Sequence, residues 1–345
     1  MRRVIFHGVG TPLTIEEHPD PEPADHEVVI RVGRCGICGS DLTMTDPASP
    51  VHFPAGAALG HEYAGEIVAL GRAVTGLAIG DRVTALPTAG CGACVACRAG
   101  DPNGCLECHH IMGGFGEYTR ADARLVTKLP DALSLADGAL VEPLACGWQA
   151  ARLAGVGAGS RVLVLGAGPI GLAATYAARR AGAARIAVVA RSDRGNGLAT
   201  AIGADAFLTQ GETLDTETVA ALGGPAEVVI ECAGTTGVLQ QAFALVRPRG
   251  TVVSAGLCFD PQTIAFGAAI GKQVTLRFSL AYTLGDFRAV VDALDAGHVE
   301  PLAMQGETIG LGALPAKIEA MRGGRVAGKV MVDPWRPDEQ ETNVA

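Results

Sequence analysis

The chain has 345 residues, enough for two domains of ordinary size. Hydrophobic residues make up 48% of it and charged residues 18%, a balance that supports a large core and excludes a disordered chain. The formal net charge of −9, without any basic run, argues against a partner that is a nucleic acid or an anionic membrane.

The amino-terminal residues lack the apolar core of a signal peptide, and glycine and proline interrupt the longest apolar stretch, residues 162–178. We therefore expect a cytoplasmic protein that does not cross a membrane. This compartment disfavours a disulfide framework. The ten cysteines, four of which share one short segment, point instead to metal binding.

The first part of the chain is predicted to be rich in β-structure. Alternating apolar residues indicate strands at residues 28–32, 63–70 and 81–86. Gly71, directly after the second of these strands, and Gly80, directly before the third, are predicted turn residues.

The character of the chain changes near residue 145, where strands begin to alternate with helices. Strands are predicted at residues 161–165, 186–189, 227–230 and 251–254. Helices are predicted at residues 172–181 and 287–296. The alternation indicates right-handed βαβ units and a parallel sheet, so the predicted fold class is α/β.

Four cysteines lie close together with the spacing C-x2-C-x2-C-x7-C. They are Cys91, Cys94, Cys97 and Cys105. Four thiolates can close a tetrahedron around Zn²⁺ and leave no position open, which is typical of a structural site. The spacing leaves two alternatives open, namely reduced cysteines without metal and an iron–sulfur cluster. Cys108 follows three residues later and is predicted to be a bystander.

A second set of metal-binding side chains is dispersed along the chain. It comprises Cys38, His61, Glu62 and Glu142. A mixed set with an exchangeable position is typical of a catalytic zinc, which acts as a Lewis acid on an alcohol or a carbonyl. Because the ligands are dispersed, spacing alone leaves open that they are unrelated core or surface residues.

Two side chains next to Cys38 have predicted supporting roles. Ser40 is close enough in sequence to relay a proton from a substrate oxygen. Asp41 is placed to orient His61 through the second ring nitrogen, as carboxylates commonly do for metal-bound histidines.

A glycine turn follows the predicted strand at 161–165 and opens the next helix. It matches G-x-G-x-x-G, with predicted cofactor contacts at Gly166, Gly168, Pro169, Ile170 and Gly171. Such a turn lets a dinucleotide pyrophosphate approach the helix N-terminus, where free N–H groups stabilise it.

The end of the next predicted strand bears on the choice between NAD(H) and NADP(H). Ala190 stands where an NAD-specific fold usually has a carboxylate for the ribose 2′-hydroxyl. Arg191, Ser192 and Arg194 are placed to hold a 2′-phosphate, so NADP(H) is the predicted cofactor. The alternative is that Asp193 serves the ribose. Further cofactor contacts are predicted at Ala233, Gly256 and Leu257.

Together these features resemble the zinc-containing medium-chain dehydrogenase/reductase family, in particular its sorbitol, butanediol and threonine dehydrogenase branches. The motifs that carry the resemblance, in family order, are GICGSD at 36–41, GHE at 60–62, GDRV at 80–83, the four-cysteine segment, GGFGEY at 113–118, EPL at 142–144 and the glycine turn. The resemblance covers nearly the whole chain. It implies a discontinuous, β-rich GroES-like catalytic domain over 1–146 and 285–345, and a Rossmann domain with a doubly wound parallel sheet over 147–284.

The resemblance also implies roles for the metal-binding residues. Cys38, His61 and Glu142 become ligands of a catalytic zinc, and Glu62 becomes a neighbouring acid that ligates in some states. The four clustered cysteines become the structural zinc site. Glu142 stands where the ethanol-type branch has cysteine, which favours the polyol-like branch, although Cys146 is nearby.

The chain departs from the family in the segments expected to border the substrate. Many relatives have a histidine shortly after the Ser-Asp pair, whereas residues 40–43 read SDLT, so the proton relay is expected to end at solvent through the ribose. Residues 44–58 are atypical, and the segment between Cys105 and Phe115 is short. Phe53, Phe115 and Leu280 are candidate pocket residues, with ordinary core packing as the alternative.

The sequence therefore predicts a zinc-dependent oxidoreductase that moves a hydride between NADP(H), preferred over NAD(H), and a secondary alcohol or polyol or the corresponding carbonyl. One alternative is a zinc-bearing reductase of an activated double bond, against which Ser40 argues. The other is a cofactor-binding relative without activity, against which the complete ligand set argues. We expect a small-molecule substrate and a homodimer or homotetramer, with residues 274–280 as a candidate pairing strand.

Overall fold

The computed structural model describes residues 1–324 and 328–337, and these form two compact units. One unit contains Met1–Glu142 and the described part of Gln305–Ala345, and the other contains Pro143–Met304. Residues 285–304 therefore lie with the second unit, whereas the sequence prediction assigned 285–345 to the first. The predicted domain limits at 146, 147, 284 and 285 stay a prediction.

The first unit is built mainly from short antiparallel strands around a long central one. In chain order the strands are β1 (Arg2–Phe6), β2 (Thr14–Glu17), β3 (Glu27–Gly36), β4 (Ala57–Ala58), β5 (Glu62–Leu70), β6 (Arg82–Ala85), β7 (Thr88–Ala89), β8 (His109–His110), β9 (Tyr118–Asp122) and β10 (Val126–Lys128). Two short helices interrupt them, α1 (Gly39–Thr43) and α2 (Val95–Arg98). Every second residue from Val28 to Val32 enters the apolar core, because side chains alternate along a strand.

The second unit is an open sheet of six parallel strands covered by helices. Helix α3 (Leu135–Leu153) leads into it, and the strands are β11 (Arg161–Leu165), β12 (Arg185–Ala190), β13 (Ala206–Thr209), β14 (Ala226–Glu231), β15 (Val246–Ser254) and β16 (Thr275–Phe278). The helices are α4 (Pro169–Arg180), α5 (Asn196–Ile202), α6 (Leu214–Leu222), α7 (Val238–Leu245), α8 (Phe266–Lys272) and α9 (Leu284–Asp295). The strand order β13-β12-β11-β14-β15-β16 is the doubly wound order of a Rossmann domain, so this prediction is confirmed.

The chain then returns to the first unit. It adds β17 (Gln305–Gly310), α10 (Leu314–Gly323) and β18 (Lys329–Asp333). Strand β18 pairs parallel with β17 and antiparallel with β3, giving the order β10-β6-β5-β3-β18-β17, with β9 also paired to β3. This return places Lys329 in the same sheet as β3, next to the segment that carries Cys38.

Short 3₁₀ helices lie at Pro102–Gly104, Ala123–Leu125, Asp193–Gly195, Glu300–Met304 and Leu311–Ala313. Among the described residues, none of the helices combines the length and the apolar character that a membrane span requires.

Candidate metal centres and cofactor turn

The pairing of β3 with β5 brings the dispersed metal-binding residues together. Gly36, the last residue of β3, is directly opposite Glu62, the first residue of β5. Cys38 follows two residues later at the N-terminus of α1, and His61 directly precedes β5. One ligand atom from each of Cys38, His61 and Glu62 lies within 4.8 Å of the others. We call this group the mixed cluster.

A glycine fixes the loop that carries His61. Gly60 has a φ of +87°, and a Cβ there would lie 2.4 Å from the backbone nitrogen of Phe115. A larger residue would therefore have both the wrong backbone conformation and no room. The GHE motif thus reflects a tight backbone contact as well as two metal-binding side chains.

Asp41 supports His61 from the first turn of α1. One carboxylate oxygen of Asp41 accepts a hydrogen bond from the N–H of Cys38 at 2.9 Å, and the other lies 3.6 Å from Nδ1 of His61. Burial alone would lower the pKa of His61, but Asp41 and Cys38 raise it well above its ordinary value. A carboxylate facing Nδ1 favours the proton there, which leaves Nε2 for a metal.

Glu62 forms a buried ion pair that the sequence reasoning missed. One oxygen of Glu62 accepts a hydrogen bond from Nζ of Lys329, which also donates to the carbonyl of Ile37 at 3.1 Å. Both charged side chains are almost completely buried. Burial alone would lower the pKa of Lys329, but Glu62 and Cys38 raise it. No sequence signal links two residues 267 positions apart.

Glu142 and Ser40 lie near the mixed cluster but outside its ligand group. Glu142 is buried on α3 and close enough for its charge to raise the pKa of both His61 and Lys329. Ser40 is half-buried in α1, and no described residue hydrogen-bonds to its hydroxyl group. Of the two glutamates, the structure groups Glu62 with Cys38 and His61 and places Glu142 beside them.

The donor set of the mixed cluster fits Zn²⁺. It offers one sulfur, one imidazole nitrogen and one carboxylate oxygen, the ligand types that zinc takes at catalytic sites. Within the described chain, the second oxygen of Glu62 is buried and makes no hydrogen bond. Such atoms are costly without a partner, so a cation at this position would stabilise the arrangement.

The four predicted cysteines converge in one loop, which we call the cysteine lobe. Their sulfurs come from Cys91, Cys94, Cys97 and Cys105 and all lie within 4.8 Å of one another. Cys91 and Cys97 are 4.0 Å apart, sulfur to sulfur. Cys108, as predicted for a bystander, is not part of this group.

Backbone N–H groups point at the sulfurs of the cysteine lobe. The N–H of Cys94 donates to Cys91 at 3.3 Å, and the N–H of Cys97 donates to Cys94 at 3.5 Å. The N–H groups of Ala93 and Cys94 lower the pKa of Cys91, which favours its thiolate. The N–H of Gly92 would lower the pKa of Cys97 as well, but burial and the neighbouring cysteines raise it. Several thiolates so close together repel one another unless a cation holds them, so the lobe fits a closed zinc site.

The glycine turn has the geometry expected for dinucleotide binding. Gly166 directly follows β11 with a φ of +112°, and a Cβ on Gly171 would lie 1.8 Å from the carbonyl oxygen of Gly166. Gly168 caps α4, and a Cβ there would meet nothing within 4 Å. The turn is therefore tight where strand and helix pack, and open where a pyrophosphate would approach.

Pro169 and Ile170 form the first turn of α4, where Pro is favoured because that N–H has no helical partner. At the end of β12, Ala190 is followed by the exposed side chains of Arg191 and Ser192. Arg194 is also exposed, in the 3₁₀ helix that begins at Asp193.

Glu231 arranges the remaining predicted cofactor residues. It ends β14, and one of its oxygens accepts hydrogen bonds from the N–H groups of Ala233 at 2.7 Å and Gly234 at 2.9 Å. A Cβ on Gly256 would lie 2.3 Å from the nitrogen of Gly234, so the two loops are in direct contact. Gly234 also approaches the backbone of Leu257. Sequence reasoning did not identify Glu231.

The three candidate pocket residues have different surroundings. Phe115 is completely buried in the core of the first unit, and Phe53 packs against that core. Leu280, in the second unit, is exposed. The core interpretation therefore describes Phe115 better than the pocket interpretation does.

Comparisons with known proteins agree with this arrangement of a β-rich unit and a doubly wound unit. The alcohol dehydrogenase GroES-like domain family matches residues 24–131, and the zinc-binding dehydrogenase family matches residues 169–296. Sorbitol dehydrogenase of Halalkalibacterium halodurans is 32% identical over 337 residues, covering 95% of this chain and 97% of that protein.

Two solved structures extend the likeness to three dimensions. A Sinorhizobium meliloti 1021 protein, assigned as a zinc-binding dehydrogenase and bound to NADP, has a TM-score of 0.86 and 31% identity over 96% of this chain and 99% of that one. An Escherichia coli CFT073 alcohol dehydrogenase in complex with NADH has a TM-score of 0.87 and 26% identity, with the same coverage.

The fold and the donor sets define a dehydrogenase with a GroES-like unit and a Rossmann unit, as the sequence predicted. The chain belongs to the zinc-containing medium-chain dehydrogenase/reductase family, and it is an oxidoreductase.

Proposed function

We propose that the protein is a zinc-dependent dehydrogenase that transfers a hydride between a nicotinamide dinucleotide and the carbinol carbon of a secondary alcohol or polyol, or the corresponding carbonyl. The observation that carries the proposal is the mixed cluster, in which a thiol, an imidazole and a carboxylate converge within 4.8 Å. The sorbitol dehydrogenase relative supports the polyol class.

Cys38, His61 and Glu62 would hold the catalytic zinc, with Glu142 near enough to replace or join Glu62. When bound, zinc supplies Lewis-acid chemistry that lowers the pKa of an alcohol or polarises a carbonyl. Asp41 holds His61 in the tautomer that presents Nε2. The free hydroxyl of Ser40 accepts the proton of the substrate alcohol and passes it outward.

A second zinc in the cysteine lobe has a structural role in this proposal. Four sulfurs complete a tetrahedral set, so no position is left for a substrate. Purified protein should therefore contain two zincs per chain, measured by atomic emission. A protein with one zinc that is lost on Cys91→Ser but kept on Cys38→Ser would contradict the catalytic site.

NADP(H) is the proposed cofactor. Support comes from Ala190, which offers no carboxylate to a ribose 2′-hydroxyl, and from the exposed side chains of Arg191 and Ser192. The test is binding of NADPH and NADH at matched concentrations to the wild type and to Arg191→Ala. The variant should lose roughly tenfold in NADPH affinity, the size of one charge-assisted contact, and little in NADH affinity. Tighter binding of NADH by the wild type would contradict the preference.

The edge strand β16 is the proposed surface for self-association. It ends the six-stranded sheet, and the nearby side chains of Phe278 and Leu280 are exposed. An exposed apolar strand edge is a template for pairing with a second copy. Sedimentation should detect a dimer or tetramer for the wild type and a smaller species for Phe278→Lys. An unchanged state in the variant would place the interface elsewhere.

Turnover separates this function from reduction of an activated double bond. The wild type should oxidise secondary alcohols or polyols, and Ser40→Ala should lower kcat by roughly two to four orders of magnitude. Ser160→Ala is the matched control, because Ser160 is half-buried like Ser40 and lies at the opposite end of β11 from the glycine turn. Turnover of an activated alkene that Ser40→Ala leaves intact would instead favour the double-bond reductase.

A further inference from the structure

Glu231 is the last residue of β14 and is almost completely buried, with 3% of its surface exposed. One carboxylate oxygen accepts hydrogen bonds from the N–H groups of Ala233 and Gly234, at 2.7 and 2.9 Å, and the other accepts from the hydroxyl group of Ser254 at 3.0 Å. The backbone carbonyl of Glu231 also accepts from the N–H groups of residues 255 and 256. One residue therefore anchors both the loop after β14 and the loop after β15.

These two loops pack closely against each other and against the glycine turn. A Cβ on Gly256 would lie 2.3 Å from the backbone nitrogen of Gly234, whose φ of +61° is in the left-handed region. A Cβ on Gly166 would lie 3.0 Å from the backbone nitrogen of Ala233. Gly166 itself is held from its other side, because its N–H donates to the carbonyl of Val189 in β12 at 2.8 Å. The glycine turn is therefore fixed by β12, whereas the loop after β14 depends on Glu231.

The sheet order indicates which part of a dinucleotide these loops face. The order reverses between β11 and β14, and a doubly wound sheet binds its dinucleotide across that point, with one mononucleotide on each half. In the proposed function, the half with β11, β12 and β13 takes the adenosine side through the glycine turn and Arg191. The half with β14, β15 and β16 then takes the nicotinamide side, and Glu231 ends the strand at the point of reversal.

We propose that Glu231 is a positioning residue for the nicotinamide half of the cofactor, acting through the loops that follow β14 and β15. The inference rests on the proposed function and adds a residue to it. Carboxylate oxygens can each accept more than one hydrogen bond, so Glu231 satisfies the two N–H groups and the hydroxyl group of Ser254 together. Without it these donors lose their acceptor, and the two loops rearrange to find others. The surface that receives the nicotinamide half changes, while the adenosine half keeps its own turn.

The test measures the Kd of whole cofactors and of their adenosine halves by calorimetry on full-length, zinc-loaded protein. The pairs are NADPH with adenosine 2′,5′-bisphosphate and NADH with ADP, so the result does not depend on which cofactor is preferred. Glu231→Ala should raise the Kd of the whole cofactors about tenfold, the size of one or two lost hydrogen bonds, and leave the Kd of the fragments within about twofold. A general loss of stability would not separate the two kinds of ligand.

Two further variants sharpen the test. Glu231→Gln should recover most of the loss, because the amide oxygen accepts from both N–H groups and the amide nitrogen donates to the oxygen of Ser254. The matched control is Glu227→Ala, near the other end of the same strand. Glu227 also accepts a backbone hydrogen bond, from the N–H of Arg161 at 3.1 Å, and forms an ion pair with its guanidinium. This control should leave every Kd unchanged even where it lowers the melting temperature.

Glu231→Asp keeps the test decisive if Glu231→Ala does not fold. Its side chain is one methylene shorter, so it should show the same selective loss at a smaller size. Equal losses for cofactor and fragment, an unchanged Kd for the whole cofactor, or the same losses in Glu227→Ala would overturn the inference. If the wild type binds cofactor but oxidises no alcohol, the proposed function fails, whereas the Kd values still decide the role of Glu231.

Discussion

The cysteine lobe and the mixed cluster are both metal-binding arrangements in the same unit, yet they are built in different ways. All four sulfurs of the lobe come from one segment of the chain, 91–105, and backbone N–H groups surround them. The mixed cluster draws its side chains from the ends of β3 and β5 and depends on Lys329 of β18. The lobe is complete in itself, whereas the cluster exists only when three distant strands pair.

The cysteine lobe and the mixed cluster also differ in the side chains that they offer to a metal ion. Four like thiolates saturate a zinc ion and hold a loop in place, which is a structural task. Among the described residues, the mixed cluster keeps one buried oxygen of Glu62 without a hydrogen bond. Unsaturated polar groups of this kind are maintained where chemistry needs them, because they lower stability everywhere else.

The largest expected effect separates the two regions by function. Cys38→Ser should lower turnover by on the order of 10³-fold, since a bound zinc contributes several kcal/mol to the transition state, while the melting temperature falls less than in Cys94→Ser. Cys94→Ser should instead remove the other zinc and lower the melting temperature. Metal content, turnover and thermal unfolding are measured on the same preparations.

Cys258→Ser is the control for both variants, because Cys258 is half-exposed and belongs to neither region. If Cys38→Ser unfolded the protein while Cys94→Ser removed only activity, the assignment of roles would have to be reversed.

The next effect concerns stability at the mixed cluster. In zinc-free protein, Lys329→Met should lower the free energy of unfolding by about 3–5 kcal/mol, because it leaves the carboxylate of Glu62 buried without a cationic partner. Adding Glu62→Gln should restore much of the loss, since the uncompensated charge is removed. Denaturant unfolding of the single and double variants measures both changes.

An exposed ion pair of the same residue types provides the control. Lys317 pairs with Glu307, whose side chain is 55% exposed, so Lys317→Met should cost at most about 1 kcal/mol. Equal losses of unfolding free energy in the two lysine variants would mean that burial does not make the Glu62–Lys329 pair more important for stability.

The smallest expected effect comes from breaking a partly exposed ion pair in the second unit. Asp286 is buried and accepts two hydrogen bonds from Arg152, at 2.6 and 2.8 Å, while Arg152 is half-exposed. Asp286 also closes the capping box of α9 with Thr283. Asp286→Asn should lower the free energy of unfolding by about 1–2 kcal/mol near pH 7.

The pH dependence of that loss has a definite sign. Burial alone would raise the pKa of Asp286, but Arg152 and Thr283 lower it below its ordinary value. A carboxyl group whose pKa is lower in the folded state stabilises the fold above its unfolded pKa of about 4 and loses that contribution as the pH falls through the folded value. The difference between wild type and Asp286→Asn should therefore shrink below about pH 4. A difference that grows towards acid pH would contradict the assignment.

The sequence by itself determined the features that depend on local pattern. The four cysteines of the lobe, the turn from Gly166 to Gly171 and the alternation of strands and helices in the second unit all lie in short segments. Their chemistry depends on spacing along the chain, which is visible without a structure. The α/β class was predicted for the same reason, the family resemblance implied the doubly wound sheet, and the sheet order confirms both.

Only the tertiary structure decided the features that depend on pairing between distant strands. Lys329 reaches Glu62 because β18 pairs with β3, and Glu62 comes near Cys38 because β5 pairs with β3. No periodicity encodes such a contact, because the alternation along a strand sets which side chains face the core but not which distant strand lies beside it. The sequence therefore identified the candidate metal-binding side chains, and the fold decided which buried charges lie beside them.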